Sequence, residues 1–110
     1  MRTTMDTFQA IADPSRREIL MLLTKDKLSI NALAGNFDMS RPAVSKHVKV
    51  LHEAGLILIN DHGRERYCEL KPDGFDEVKN WLLFFDKFWK EKLQNLENLL
   101  NQISNTNESN

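Results

Sequence analysis

Five residues in the middle of the chain, Ser40, Arg41, Ser45, Lys46 and Lys49, combine hydroxyls and cations at a spacing suited to holding an anionic polymer. At about 100° per residue, Ser45, Lys46 and Lys49 lie with Pro42 and Glu53 opposite a stripe of Val44, Val48 and Leu51, which Ala54 flanks. Arg41 falls in the first turn, where a helix dipole disfavours cations, so an anionic partner explains its place better than stability does. Arg64 and Arg66 are two apart and would project from one face of a strand, within reach of phosphates or a minor groove. The alternative for Arg64, Glu65 and Arg66 is an edge hairpin kept soluble by mixed charge. Arg16 and Arg17, early in another helix, read either as a solvated or locally paired face or as a structural or phosphate contact.

Other chemistries find little here. There is no glycine-rich phosphate loop, no paired Cys/His site and no nucleophile elbow, so the chain does not read as an enzyme. Cys68 is the single cysteine and reads as a small, partly buried strand residue. His47, His52 and His62 are dispersed without a ligand spacing, and neither a metal nor a cofactor is expected.

The 110 residues suit one domain, and the formal net charge of −1 carries no basic signature overall. Its distribution does inform. Residues 1–71 balance to +2 and residues 72–110 to −3, which leaves the anionic charge in the C-terminal third. No apolar run suits a membrane span and MRTTMDTF lacks a signal-peptide core, so a cytoplasmic protein without membrane contact is expected.

The elements that must carry these residues follow from periodicity and caps. Residues 4–12 form a short helix with Met5, Phe8, Ile11 and Ala12 on one face. Asp13-Pro14 starts a second helix, with Ile19, Leu20, Leu22 and Leu23 inside and an end near Thr24. Ser29 caps a third, ending around Gly35-Asn36, and Ser40 caps the cationic helix that Gly55 ends. Residues 29–55 thus read as a helix-turn-helix. Leu56–Ile59 and Arg66–Leu70 are strands joined by the turn Asp61-His62-Gly63-Arg64, a winged hairpin within 56–71.

The final element runs over residues 75–103, with Trp81, Leu82, Phe85, Phe88, Trp89, Leu93, Leu96, Leu100 and Ile103 on a broad stripe that Leu99 adjoins. Such a helix is longer than a domain of this size needs, so part of its stripe should pack on a second copy of the chain. The polar tail 104–110 is expected to be disordered.

The fold class is therefore mainly α with a small β-hairpin, a winged helix-turn-helix with a long C-terminal dimerisation helix, in a single domain over 1–103. The segments DPSRREIL, SRPAVSKHVKVLHEAGLI, GRERYCEL and WLLFFDKFWKEKL, in this order, resemble the ArsR family of bacterial winged-helix repressors across nearly the whole chain. The resemblance implies a homodimer joined through the first and last helices, 4–12 and 75–103, with Phe8, Trp81, Phe85, Phe88, Trp89, Leu93 and Leu96 at the interface. It implies a double-stranded, pseudo-palindromic DNA operator contacted by Ser40, Arg41, Ser45, Lys46 and Lys49, and by Arg64 and Arg66 of the wing. His47 matches a frequent family position and stays open between DNA contact and structure, with its angle beside the buried stripe favouring the structural role over base contact. Many relatives sense metals, but SINALAGNFDMS lacks their paired cysteines and the last helix has no histidine to join Asp86, Glu91 and Glu97. The chain looks closer to the metal-free branch, whose regulators often accompany a small-molecule-binding or membrane partner.

The reading is a sequence-specific, dimeric transcriptional repressor whose inducer or partner protein is unknown. Two alternatives accompany it. One is a winged-helix protein-interaction module docking through Trp81, Phe85, Phe88 and Trp89, and the other a regulator answering an unidentified metal or small ligand.

Overall fold

The computed structural model describes residues 6–108. The described residues fall into two compact units, 6–77 and 78–108. In the first, each helix starts where a side-chain oxygen can take an orphan N–H. Asp6 caps α1 (Thr7–Ala10) in a reciprocal box with Gln9, and Asp13 caps α2 (Pro14–Leu23). After β1 (Leu28–Ser29), Ser29 caps α3 (Ile30–Ala34) and Ser40 caps α4 (Arg41–Glu53), which has a proline in its first turn. Gly55 follows at φ 81°, a left-handed geometry costly for any residue with a Cβ.

β2 (Ile57–His62) and β3 (Glu65–Leu70) pair antiparallel, with Ile59 opposite Cys68 and Asp61 opposite Arg66. Only Gly63 and Arg64 connect them, with Gly63 at φ 64°. β1 joins the other edge of β3, Leu28 opposite Cys68, giving the sheet order β1-β3-β2. The expected hairpin is thus two strands of a three-stranded sheet. Two residues are too short to show an alternating pattern, so β1 has no signature of its own.

The core is where the helical periodicity puts it. Ile19, Leu20 and Leu23 from α2, Ile30 and Leu33 from α3, and Val44, Val48 and Leu51 from α4 are buried together with Leu56, Ile57 and Cys68. The first helix is shorter than expected. Asp6 stops it at its N-terminus, Ile11 is already its C-cap, and Thr7 and Ala10 are buried while Ala12 is exposed. Met5 lies outside the described residues. After β3 the chain turns tightly: the Lys71 N–H donates to the Leu56 carbonyl at 3.0 Å. A Cβ on Gly74 would come within 2.8 Å of the Gly55 carbonyl oxygen.

α5 (Asp76–Glu108) forms the second unit almost alone, some 50 Å long at 1.5 Å per residue. It starts one residue later than Phe75 and continues past Ser104 to Glu108, into the stretch expected to be disordered. Extending an existing helix costs little once it is nucleated, which offsets the weak helix preference of Ser104, Asn105 and Thr106. Among the described residues no helix is long and apolar enough to cross a membrane.

Candidate nucleic-acid interface

The outer face of α4 and the inner side of the wing form one concavity, lined by Arg41, Pro42, Ser45, Lys46, Lys49 and His52 from the helix and by Ile59, Asp61 and Arg66 from the hairpin. Two constraints fix the helix wall. Burying Val44, Val48 and Leu51 leaves only one rotation for α4, and that rotation turns Lys46 and Lys49 to solvent and half-exposes Ser45. Ser40 is spent on the cap, its Oγ accepting from the Ala43 N–H at 3.3 Å, so its side chain supports the helix end.

The cations of this face differ in how firmly they are held. Among the described residues Lys46, Lys49 and Arg64 have no carboxylate partner. Arg41 Nε donates to Asn31 Oδ1 on α3. Arg66 Nε lies 3.3 Å from Asp61 Oδ1 on the paired strand. Arg64 sits in the connecting turn and not in β3, so the expectation that Arg64 and Arg66 share a strand face is corrected. The two-residue turn that Gly63 permits carries Arg64 at the tip and leaves Arg66 on the wall of the concavity.

Arg16, Arg17 and His47 belong to a different environment. Arg16 donates through Nε to the Ala10 carbonyl at 2.7 Å and through Nη2 to the Gln9 carbonyl at 3.2 Å, and Arg17 donates to the Ile11 carbonyl at 2.7 Å. Both therefore close the exposed C-terminus of α1, where helix carbonyls lack intrahelical partners. His47 turns Nδ1 inward, 3.7 Å from Asp13 Oδ2 and 3.4 Å from Arg16 Nη1. Sequence reasoning weighed a structural role for all three but missed their partners, which are backbone carbonyls and a cap residue brought close only by tertiary folding. It did not foresee the contacts of Asn31 with Arg41 or of Asp61 with Arg66, and Asp61 and His62, expected in the turn, lie in β2.

On α5 the residues expected at a dimer interface are solvent-facing: Trp81 is 51% exposed, Trp89 57%, Leu93 62% and Leu96 51%, with Phe88 also exposed and Phe85 half-exposed. Leu83 and Phe84 are exposed too, making the helix apolar on nearly every side around residue 83. Phe8 on α1 is half-buried. Trp81 and Phe85 meet edge to face at 5.0 Å between centroids, as do Phe88 and Trp89 at 5.1 Å.

Cys68 is fully buried in β3, and burial pushes its thiol up to about 11. No group of three His, Cys, Asp or Glu side chains that could hold a metal exists among the described residues.

Known proteins resemble the chain in sequence and fold. Residues 13–58 match the family described as bacterial regulatory protein, arsR family. The HTH-type transcriptional regulator Rv2034 of Mycobacterium tuberculosis is 37% identical over 93 residues, 84% of either chain. The transcriptional repressor SdpR of Bacillus subtilis is 34% identical over 73% of this chain and 89% of its own. Among solved structures, a possible transcriptional regulator for arsenical resistance is 40% identical, with a TM-score of 0.68 over 78% of this chain and 86% of that one. The match spans helix-turn-helix and wing alike, and the chain belongs to the ArsR family, whose members are DNA-binding transcriptional regulators and not enzymes.

Proposed function

We propose that the chain works as a two-fold dimer that represses transcription by occupying a pseudo-palindromic operator, one α4 entering the major groove of each half-site. The observation that carries this reading is the concave face on which Lys46 and Lys49 stand, without carboxylate partners among the described residues, beside Ser45, Arg41 and Arg66. Cations left unpaired on an otherwise mixed-charge surface suit phosphate neutralisation, while Ser45 and Arg41, nearer the helix N-terminus, suit contact with base edges. Arg64 at the wing tip reaches further along the backbone. Arg16, Arg17 and His47 act from behind the helix. A repressor of this kind works in the cytoplasm, where its DNA is.

Pairing through α5 is supported by its exposed apolar stripe, larger than a monomeric surface ordinarily tolerates. The same exposed tryptophans would serve a protein-interaction module, and solution mass separates the two. A stable dimer supports the repressor, and a monomer that shifts only when another protein is added supports the module. Footprinting on the DNA upstream of the protein's own gene tests DNA reading directly. The expected result is two protected half-sites with centres about 34–36 Å apart, or a multiple of that. Absence of protection there and on any genomic fragment at low salt would remove the reading.

A further inference from the structure

Two arginines line the concave face, and each has its Nε beside a side-chain oxygen of another element, one in a hydrogen bond and one in an ion pair. Arg41 at the start of α4 gives its Nε to Asn31 Oδ1 of α3, ten residues earlier in the chain. Arg66 Nε of β3 forms an ion pair with Asp61 Oδ1 of β2, at 3.3 Å. A guanidinium has five N–H donors in a planar fork, so a partner at Nε restricts the side chain and leaves the four donors of the terminal nitrogens, all in one plane. Among the described residues neither arginine has another partner.

Stability does not account for these contacts. The Arg66 and Asp61 side chains are 63% and 68% exposed, and Asn31 and Arg41 are also exposed, a setting in which pairs of this type contribute little to folding. A carboxylate in a face suited to anions is by itself electrostatically unfavourable for DNA, so the place of Asp61 there is better explained by its contact with Arg66. We propose that Asn31 and Asp61 are positioning residues for DNA binding. They pre-orient the terminal nitrogens of Arg41 and Arg66 toward the double helix, so that less side-chain freedom is lost on binding. The inference rests on the DNA-reading role proposed above. It assigns a function to two residues that need not touch DNA themselves.

The test uses full-length protein and the duplex that the wild type selects from a random-sequence pool, with affinity read by fluorescence anisotropy at several salt concentrations. Asn31→Ala should weaken binding about two- to ten-fold, the cost of ordering one long side chain. It removes no charge, so the slope of log affinity against log salt should stay at the wild-type value. Arg41→Ala should weaken binding at least as much, and the double variant should bind like Arg41→Ala alone, because Asn31 acts only through Arg41. At the wing, Asp61→Asn and Asp61→Ala remove the same charge but only the first keeps an acceptor for Nε, so Asp61→Ala should bind more weakly than Asp61→Asn. An Asn31→Ala variant that binds like the wild type, losses that multiply in the double variant, or Asp61 variants that bind alike would overturn the inference. A wild type that selects no duplex would instead overturn the DNA-reading role, and the inference with it.

Discussion

Residues 6–77 and α5 handle their apolar side chains in opposite ways. In the first, Ile19, Leu33, Val44, Leu51, Leu56 and Ile57 are at most 1% exposed, each helix has a side-chain cap, and no buried side-chain nitrogen or oxygen among the described residues lacks a hydrogen-bond partner. In α5, Trp81, Phe84, Trp89, Leu93 and Leu100 are all more than half exposed. A helix with such a stripe gains most of its stability from packing and little from intrinsic preference. The contrast separates a part that satisfies itself from a part that calls for a partner. It also gives each part a distinct role in the proposed function, reading in one and pairing in the other.

The largest way to break the contrast is to charge the stripe. Leu93→Glu together with Leu96→Glu should convert the proposed dimer to monomer in sedimentation, since each carboxylate buried without a partner costs about 3–5 kcal/mol and a two-fold interface meets it twice. The α2–α4 core should remain folded. Leu51→Ala should do the reverse, destabilising the first unit by about 2–5 kcal/mol in denaturant unfolding, because a fully buried leucine leaves a cavity.

Cys68 supplies a pH dependence of its own. Its thiol is raised from 9.0 to about 11 in the fold, so above pH 9 the unfolded chain ionises while the native one does not. The stability this represents is complete below pH 9 and is lost as pH rises toward 11, about 2–3 kcal/mol in all. Unfolding of Cys68→Ala across that range should show a correspondingly flatter decline.

Smaller effects sharpen the reading half. Lys49→Ala should leave folding unchanged and, if it meets a phosphate, reduce the salt slope of operator binding by roughly 0.9. An unchanged affinity would remove Lys49 from the interface. Ser40→Ala should cost about 1 kcal/mol of stability through the lost cap, read as a lowered thermal midpoint.

The same contrast explains what was legible from sequence. Asp13-Pro14, Ser40 with Pro42, Gly55 and Gly63 are local signals, acting on backbone groups a few residues away, and α2, α4 and the hairpin stand where these residues put them. The buried stripe of α4 followed from periodicity, and with it the outward direction of Lys46 and Lys49. What escaped depends on contacts far apart in the chain. β1 exists because β3 offers an edge to Leu28 and Ser29. Arg16 finds the carbonyls of Gln9 and Ala10 only once the chain between α1 and α2 has turned. Asn31 and Asp61 gain meaning only beside Arg41 and Arg66. Leu83 and Phe84 fell outside the stripe because the pattern follows a single face, whereas the helix is apolar on several sides there.

In the proposed function the self-contained part reads DNA, and α5 brings a second copy to read the other half-site. Sedimentation of the protein on a footprinted duplex containing both half-sites tests both together. The expected result is a complex of two chains per duplex, reduced to weak single-chain binding by Leu93→Glu with Leu96→Glu. A single wild-type chain bound tightly to that duplex, or two charged-stripe chains bound as tightly as the wild type, would contradict it.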